Sequence, residues 1–355
     1  MSGIQALFRL ELGQFSLDLE LDLPGRGVTV LFGPSGSGKT LLLRCIAGLE
    51  RARGRLSVNG ERWQDEKLFL PTHRRPLGYV FQEPSLFPHL SVRGNLEFGM
   101  KRASRSNGEA LEQAIELLGI GHLLRRRPGR LSGGEQQRVA IARAIAVQPR
   151  LLLMDEPLAA LDLARKREIL PYLEQLHDRL EIPLLYVTHS PDEMARLADH
   201  LVVLEGGRVL ASGPLADTLA RLDLPVRLGE EADVVLEARI EGRDRQWGLA
   251  SAAFPGGRLL VKDIGIPVGN RVRLRVLAKD VSLALERQEG SSILNLLPAT
   301  VAEVGEGEHP ATALVRLKLG ESTILASLTR RSVHALELEA GKAVWVQIKS
   351  VAVIE

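Results

Sequence analysis

The sequence predicts an α/β domain with a mostly parallel core sheet, followed by a smaller all-β domain. Three observations predict it. Up to about residue 229, short apolar runs bounded by breakers alternate with segments of helical period. A glycine-rich loop separates the first such run from a helix. After about Glu230 the chain turns to short alternating strands punctuated by glycine.

The strand-like runs come first. VTVLF at Val28–Phe32, LLLMD at Leu151–Asp155 and LLYVT at Leu184–Thr188 are apolar throughout. Continuous apolar runs suit strands covered on both faces, as in a parallel sheet. Helical patterns lie between them, over Gly133–Val147 and Leu163–Leu180. The alternation is that of α/β proteins. VVLEARI, RVRLRVLA, ATALVRLKL and AVWVQIK then read as strands of an OB-like or barrel domain. The boundary is expected at Leu228–Asp233, giving domains of 1–229 and 230–355. GNRVRLRV from Gly269 matches GKAVWVQI from Gly341, and each is followed by a second short strand, VSLAL or VAVIE. This predicts two related β modules, about 231–288 and 290–355.

Composition limits the function. The 355 residues carry a formal net charge of only +2, which argues against a dedicated nucleic-acid binder. Arg125–Arg127 and His73–Arg75 are expected on solvated faces or loops. Cys45 is the one cysteine, so no disulfide forms within the chain, and it is expected to be a small core residue. No apolar run reaches the ~18 residues needed to span a bilayer, and MSGIQALFRLELG lacks a signal-peptide core. Any membrane role is therefore expected to act through a partner.

The chemistry sits in a few short motifs. GPSGSGKT comprises Gly33, Pro34, Ser35, Gly36, Ser37, Gly38, Lys39 and Thr40, and fits G-x-x-x-x-G-K-[ST] between a strand and a helix. The glycines let backbone N–H groups curl toward phosphates. Lys39 adds charge at the β/γ-phosphates, and the Thr40 hydroxyl is expected to ligate Mg²⁺. Asp155 ends LLLMD, where a carboxylate faces the crevice at the C-terminal edge of an open sheet. It is the expected metal carboxylate, and Glu156 the expected general base for water attack on the γ-phosphate. Gln82 and His189 end two further apolar segments, LGYVFQ and LLYVTH. LSGGEQQR, from Leu131, places Ser132, Gly133 and Gly134 at a second helix start with anion-binding character.

GPSGSGKT, VFQ, LSGGEQQR, LLLMDEP, LAALD and VTHS, in this order, resemble the ATPase subunits of ABC transporters. The resemblance covers the first two-thirds of the chain. It implies a P-loop NTPase domain with an added antiparallel sheet and helical subdomain. It implies ATP and Mg²⁺ as ligands, Gln82 sensing metal and water (a second metal-side group beside Thr40 and Asp155), His189 on the γ-phosphate and Asp162 in a subunit-contact loop. It implies a head-to-tail homodimer in which Ser132–Gly134 of one chain closes on the ATP held by Lys39 of the other. An aromatic on the adenine is expected near Leu10–Leu12, where only Phe8 and Phe15 are close. Leu86, Phe87, Leu90, Val92, Leu96 and Phe98 are expected to line a groove for a permease helix.

SSILNLLPATV and the strands around it resemble the paired molybdopterin-like (Mop/TOBE) modules of molybdate-importer ATPases. By that resemblance Ser292, Asn295, Lys349 and Ser350 are candidate oxyanion donors, although Leu294 replaces the usual arginine. The implied system is an importer for molybdate, or tungstate, with integral-membrane permease subunits and, indirectly, a periplasmic solute-binding protein. The chain would act peripherally at the cytoplasmic face of the inner membrane. The alternatives are an importer for sulfate, iron, sugar or polyamine, and a soluble ABC ATPase. An anion-sensing role for the β domain is compatible with the first reading.

Overall fold

The computed structural model describes residues 3–101, 108–179, 181–224, 233–307 and 309–354. They form two compact units, Met1–Ser212 and Gly213–Glu355. The expected linker at Leu228–Asp233 falls, apart from Asp233, outside the described residues.

The first unit opens with β1 (Gly3–Leu12) and β2 (Phe15–Pro24), which pair antiparallel across a tight turn at Gly13. β3 (Gly27–Phe32) leads into α1 (Lys39–Ala47). β4 (Arg53–Val58) and β5 (Glu61–Gln64) complete a four-stranded sheet in the order β2-β1-β4-β5. Its inner face alternates as a half-buried sheet should, with Ile4, Ala6 and Phe8 inside and Gln5 and Arg9 outside.

β6 (Leu77–Val80) precedes the helical part, α2 (Val92–Met100), α3 (Gly108–Leu117) and α4 (Gly133–Ile145). β7 (Leu151–Asp155), α5 (Leu163–Arg179), β8 (Pro183–Val187), α6 (Pro191–Leu197), β9 (His200–Glu205) and β10 (Arg208–Pro214) follow. The second sheet runs β10-β9-β3-β8-β7-β6, and its pairs from β9 to β6 are parallel. Every residue of β7 and β8 is buried, which is why both read as unbroken apolar runs. The core lies between the two sheets and α1, around Phe8, Leu31, Leu42, Ile46, Trp63 and Leu153. Each such buried side chain is worth roughly 1.5–3 kcal/mol over leaving it in water.

Arg75 departs from the expectation of a solvated basic loop. It is buried, and its guanidinium donates to the carbonyls of Cys45 (3.0 Å) and Ile46 (2.5 Å) at the end of α1, and to Leu70 O. The last carbonyls of a helix lack partners of their own, and a cation there also meets the negative end of the helix dipole. Burial pulls the Arg75 pKa down to about 10. Cys45 is a buried core residue, its thiol pushed up to about 12 by the same burial.

The second unit contains α7 (Leu215–Leu219) and two five-stranded sheets. The first uses β11 (Asp233–Asp244), β12 (Leu249–Phe254), β13 (Gly257–Lys262) and β14 (Arg271–Leu277). The second uses β15 (Val281–Ala284), β16 (Asn295–Glu306), β17 (Thr312–Leu319), β18 (Ser322–Thr329) and, after the short α8 (Arg330–Ala335), β19 (Ala343–Ile348). β20 (Ala352–Ile354) returns to the first sheet and pairs with β14, while β15 pairs with β19. Each module thus hands its closing strand to the other sheet.

The two halves repeat in detail. Gly269 N–H donates to Ile240 O and Gly341 N–H to Val301 O, at φ 93° and 91°. Each acceptor is followed by a bulge, at Ile240/Gly242 and at Val301/Glu303. A shared core around Leu259, Leu274, Val315 and Val346 fills both.

Candidate functional site

The register of the parallel sheet aligns three strand ends. Leu31 of β3 and Asp155 of β7 both lie opposite Val187 of β8. The residues that follow, Gly33, Glu156 and His189, therefore emerge at one edge, where an open α/β sheet presents its crevice.

The loop between β3 and α1 has the backbone its glycines permit. Gly33, Gly36 and Gly38 take φ of 151°, 79° and 100°. A Cβ at Gly33 would stand 2.1 Å from Leu204 O, so close packing forbids a side chain there as firmly as the dihedral does. α1 starts at a left-handed Gly38 with no side-chain cap, which leaves its first N–H donors to a ligand. The Lys39 ammonium is held inside this loop, 2.8 Å from Gly33 O, 2.9 Å from Pro34 O and 3.4 Å from Ser37 Oγ. Burial lowers its pKa, and the carboxylates of Glu156 and Asp155 pull the other way.

Asp155 is also buried. Its Oδ1 accepts from Thr40 Oγ1 at 2.9 Å and its Oδ2 from the Tyr79 hydroxyl at 3.2 Å. Burial raises its pKa against those two hydrogen bonds, with Glu156 adding to the rise and Lys39 opposing it. A buried carboxylate beside a hydroxyl is the hard-oxygen donor set that Mg²⁺ takes, usually with phosphate and water completing the shell. The residues fit that ion.

Glu156 is a non-glycine residue at φ 44°, a left-handed conformation that costs a carboxylate side chain energy and is held only by its surroundings. The holding bond is visible: its N–H donates to Val187 O at 3.1 Å. Its Oε2 lies 3.7 Å from Nδ1 of the exposed His189. Gln82 is exposed just past the end of β6, which is separated from β3 by β8 and β7.

Sequence reasoning missed Tyr79. Its signal was alternation: in LGYVF, Tyr79 points to the same side of β6 as Phe81, and the two rings stack at 4.2 Å. Phe8 is fully buried in the core, whereas Phe15 is half-buried against the phosphate loop, its ring 3.0 Å from where a Cβ on Gly38 would be.

Ser132, Gly133, Gly134 and Asp162 form a second group. Ser132 caps α4 in a reciprocal box: its hydroxyl accepts from Glu135 N–H (3.2 Å), and its own N–H donates to the Glu135 carboxylate (2.7 Å). That backbone bond is the main reason the Glu135 pKa is lowered. Asp162 accepts from Arg165 N–H at the start of α5, and a Cβ on Gly133 would stand 3.4 Å from the Arg165 guanidinium. Among the described residues, no hydrogen bond or ion pair joins this group to the Lys39 group.

The segment after Gln82 is braced from within. Buried Asn95 accepts from Phe87 N–H and donates to the carbonyls of Phe87 and Ser91. Arg143 of α4 donates to Ser85 O and Pro84 O and lies over the Phe87 ring. Leu86, Phe87, Leu90 and Phe98 are partly exposed, but Val92 and Leu96, also expected to line a permease groove, are fully buried.

In the second unit, strand register sets Asn295 opposite Ile348, the residue before the candidate oxyanion donors Lys349 and Ser350. The Asn295 amide bridges the sheets, accepting from Leu260 N–H (2.7 Å) and donating to Leu260 O (3.0 Å). Ser292, Lys349 and Ser350 are exposed, as is Leu294 at 62%.

The comparisons agree with this geometry. Residues 17–159 match the ABC transporter family and residues 291–354 match the TOBE domain. The chain is 66% identical to the molybdenum import ATP-binding protein ModC of Methylococcus capsulatus, covering 100% of both. It is 64% identical to the ModC of Thiobacillus denitrificans, covering 99% of this chain and 98% of that one. Among solved structures it resembles cbiO1 of Clostridium perfringens, part of an ABC transporter complex, at 26% identity and TM-score 0.55 over 62% of this chain and 91% of that one. It also resembles the dimeric structure of a bacterial ABC transporter cassette, at 28% identity and TM-score 0.51 over 60% and 98%.

Proposed function

Because this chain belongs to the molybdenum import ATP-binding proteins of the ABC transporter family, we propose that the Lys39 cluster holds and cleaves ATP at a face completed by a second copy of the chain. The protein is the ATP-hydrolysing subunit of an ABC importer and energises uptake of molybdate through a separate permease. No helix among the described residues is long and apolar enough to cross a membrane. We place the subunit peripherally, on the cytoplasmic face of the cell membrane, against permease subunits served by a periplasmic binding protein.

The observation that carries the mechanism is the convergence of Lys39, Thr40, Asp155, Glu156 and His189 on one sheet edge. Backbone N–H groups of the loop and α1 hold the phosphate oxygens, with Lys39 at the β/γ pair. Thr40 and Asp155 would hold Mg²⁺, with Gln82 past the end of β6 as a further metal-side group, and the ion would supply positive charge to the phosphate oxygens. Glu156 accepts a proton from water as the water oxygen bonds to the γ-phosphorus. The bond to the β–γ bridging oxygen breaks, giving ADP and phosphate. His189, 3.7 Å from Glu156, donates to the γ-phosphate oxygens and orients the base. Phe15 stacks on the adenine, since Phe8 has no exposed face to offer.

Ser132–Gly134 serves the ATP of the partner chain, and Asp162 lies at the same contact. Hydrolysis then depends on a closed two-fold dimer and ends by releasing it. Leu86, Phe87, Leu90 and Phe98 receive the permease.

Glu156→Gln tests the base. It should bind ATP as the parent does and lose turnover by ~10²–10⁴-fold, read by nucleotide titration and phosphate release. Unchanged hydrolysis would remove Glu156 from the mechanism.

A further inference from the structure

The Tyr79 hydroxyl has no part in the nucleotide chemistry above, yet it is one of only two side-chain groups hydrogen-bonded to Asp155 among the described residues. An ionised carboxylate only accepts, so the phenol must donate. Thr40 takes Oδ1 and Tyr79 takes Oδ2, which fixes the carboxylate plane from opposite sides. Tyr79 is itself fixed. Its ring stacks on Phe81 at 4.2 Å with 26° between planes, and it packs on the core between the two sheets. β6 and β7 are hydrogen-bonded neighbours, with Tyr79 opposite Leu153. The phenol therefore reaches along the sheet edge to the end of the next strand.

We propose that Tyr79 is a positioning residue for the metal: its hydroxyl holds Asp155 Oδ2, so that Oδ1 and the Thr40 hydroxyl present a preset pair of oxygens to a divalent cation. The inference rests on Asp155 being the metal carboxylate. The geometry explains why the metal side of this site needs an aromatic alcohol rather than any apolar strand residue. Without the hydroxyl, the buried carboxylate would lose one of two donors and rotate about its last torsion. The cation would then have to order it on binding. Outer-sphere partners of this kind typically change metal affinity by 10–100-fold.

The structure also separates hydroxyl from ring. Tyr79→Phe keeps the stack on Phe81 and the core contact, and removes only the donor. Phe81→Leu removes the stack and keeps the donor. The test measures Mn²⁺ binding by electron paramagnetic resonance on the full-length protein loaded with a non-hydrolysable ATP analogue. Metal-free binding of the analogue and the melting temperature are measured alongside.

Tyr79→Phe should bind Mn²⁺ roughly tenfold more weakly, with metal-free analogue affinity unchanged and the melting temperature lowered only by the lost hydrogen bond. Phe81→Leu should bind Mn²⁺ as the parent does. Parental Mn²⁺ affinity in Tyr79→Phe overturns the proposal, and so does an equal loss in Phe81→Leu. A matching loss of metal-free analogue binding in Tyr79→Phe overturns it as well, because the hydroxyl would then serve the loop's shape. Asp155→Asn is measured in parallel. Parental Mn²⁺ affinity there removes the assignment of Asp155 itself, whatever Tyr79 does.

Discussion

Two helices of the first unit begin at glycine-rich stretches, and they begin in opposite ways. α1 starts from a left-handed Gly38 with no side-chain cap, a lysine inside its loop and two carboxylates close by. α4 starts from Ser132, capped twice over by its own side chains, with the Glu135 carboxylate on the Ser132 N–H. The first helix start is incomplete without an anion. The second has satisfied two of its backbone donors internally and carries a negative charge. On the proposed mechanism the first binds the triphosphate by itself, and the second adds a later contact from Ser132 and the N–H groups of Gly133 and Gly134. That division of labour suits a site whose closure, rather than whose first binding, is the controlled step.

The largest effects should separate the two starts. Lys39→Ala removes the only cation in the phosphate loop and should abolish measurable ATP binding. Ser132→Arg puts a bulky cation at an exposed cap. It should leave ATP binding by the single chain intact while turnover falls by at least ~10²-fold. Nucleotide titration and phosphate release on both variants check this. Equal loss of ATP binding in the two would mean that both helix starts serve one phosphate within the same chain.

The contrast also shows what the sequence could disclose. The phosphate loop was legible because its eight residues are contiguous and each constrains the backbone locally. Its partners Asp155 and Glu156 were legible because they end a buried strand. Tyr79 was not, since its partner lies 76 positions away and alternation in LGYVF gives only the side of the strand, not the partner of the hydroxyl. Arg75 was misjudged for the same reason: two of its acceptors belong to α1, about thirty residues earlier. In the β domain the repeat of Gly269 and Gly341 was readable from spacing. The exchange of β15 and β20 between sheets was not, because strand pairing is decided by side chains far apart in sequence. Asn295 likewise has a partner that its own segment does not mark. A polar residue at a ligand-like position is tied to Leu260 of the facing sheet.

An intermediate effect should come from the cap. Glu135→Ala removes one half of the reciprocal box and should lower stability by about 1 kcal/mol, or roughly 2–4 °C in a domain of this size. Because its pKa is depressed in the folded protein, Glu135 contributes its full stabilisation above 4.5, the unfolded value, and loses it as pH falls through the lower folded value. Thermal melts across that range should show parent and variant converging at the acid end. A gap that stays constant with pH would mean that the box stabilises without its charge.

The smallest effect should have the opposite sign, and it is the sharper test. Asp155 sits in the open site, and burial raises its pKa in the folded protein above the unfolded value of 3.8. The folded state then holds the proton more tightly than the unfolded one. The ionised carboxylate is a net cost that is absent below 3.8, grows as pH rises and is complete above the folded pKa. Asp155→Asn keeps an acceptor for Thr40 and removes the charge. Without nucleotide or metal it should melt a degree or two higher than the parent near neutral pH, with the gap closing toward pH ~4. With MgATP the order should reverse, because the parent gains a ligand that the variant holds poorly. A variant less stable than the parent in both conditions would show that Asp155 braces the fold. The phosphate loop would then be no more strained than the capped start of α4, and the difference between the two helices would not be one of readiness for an anion.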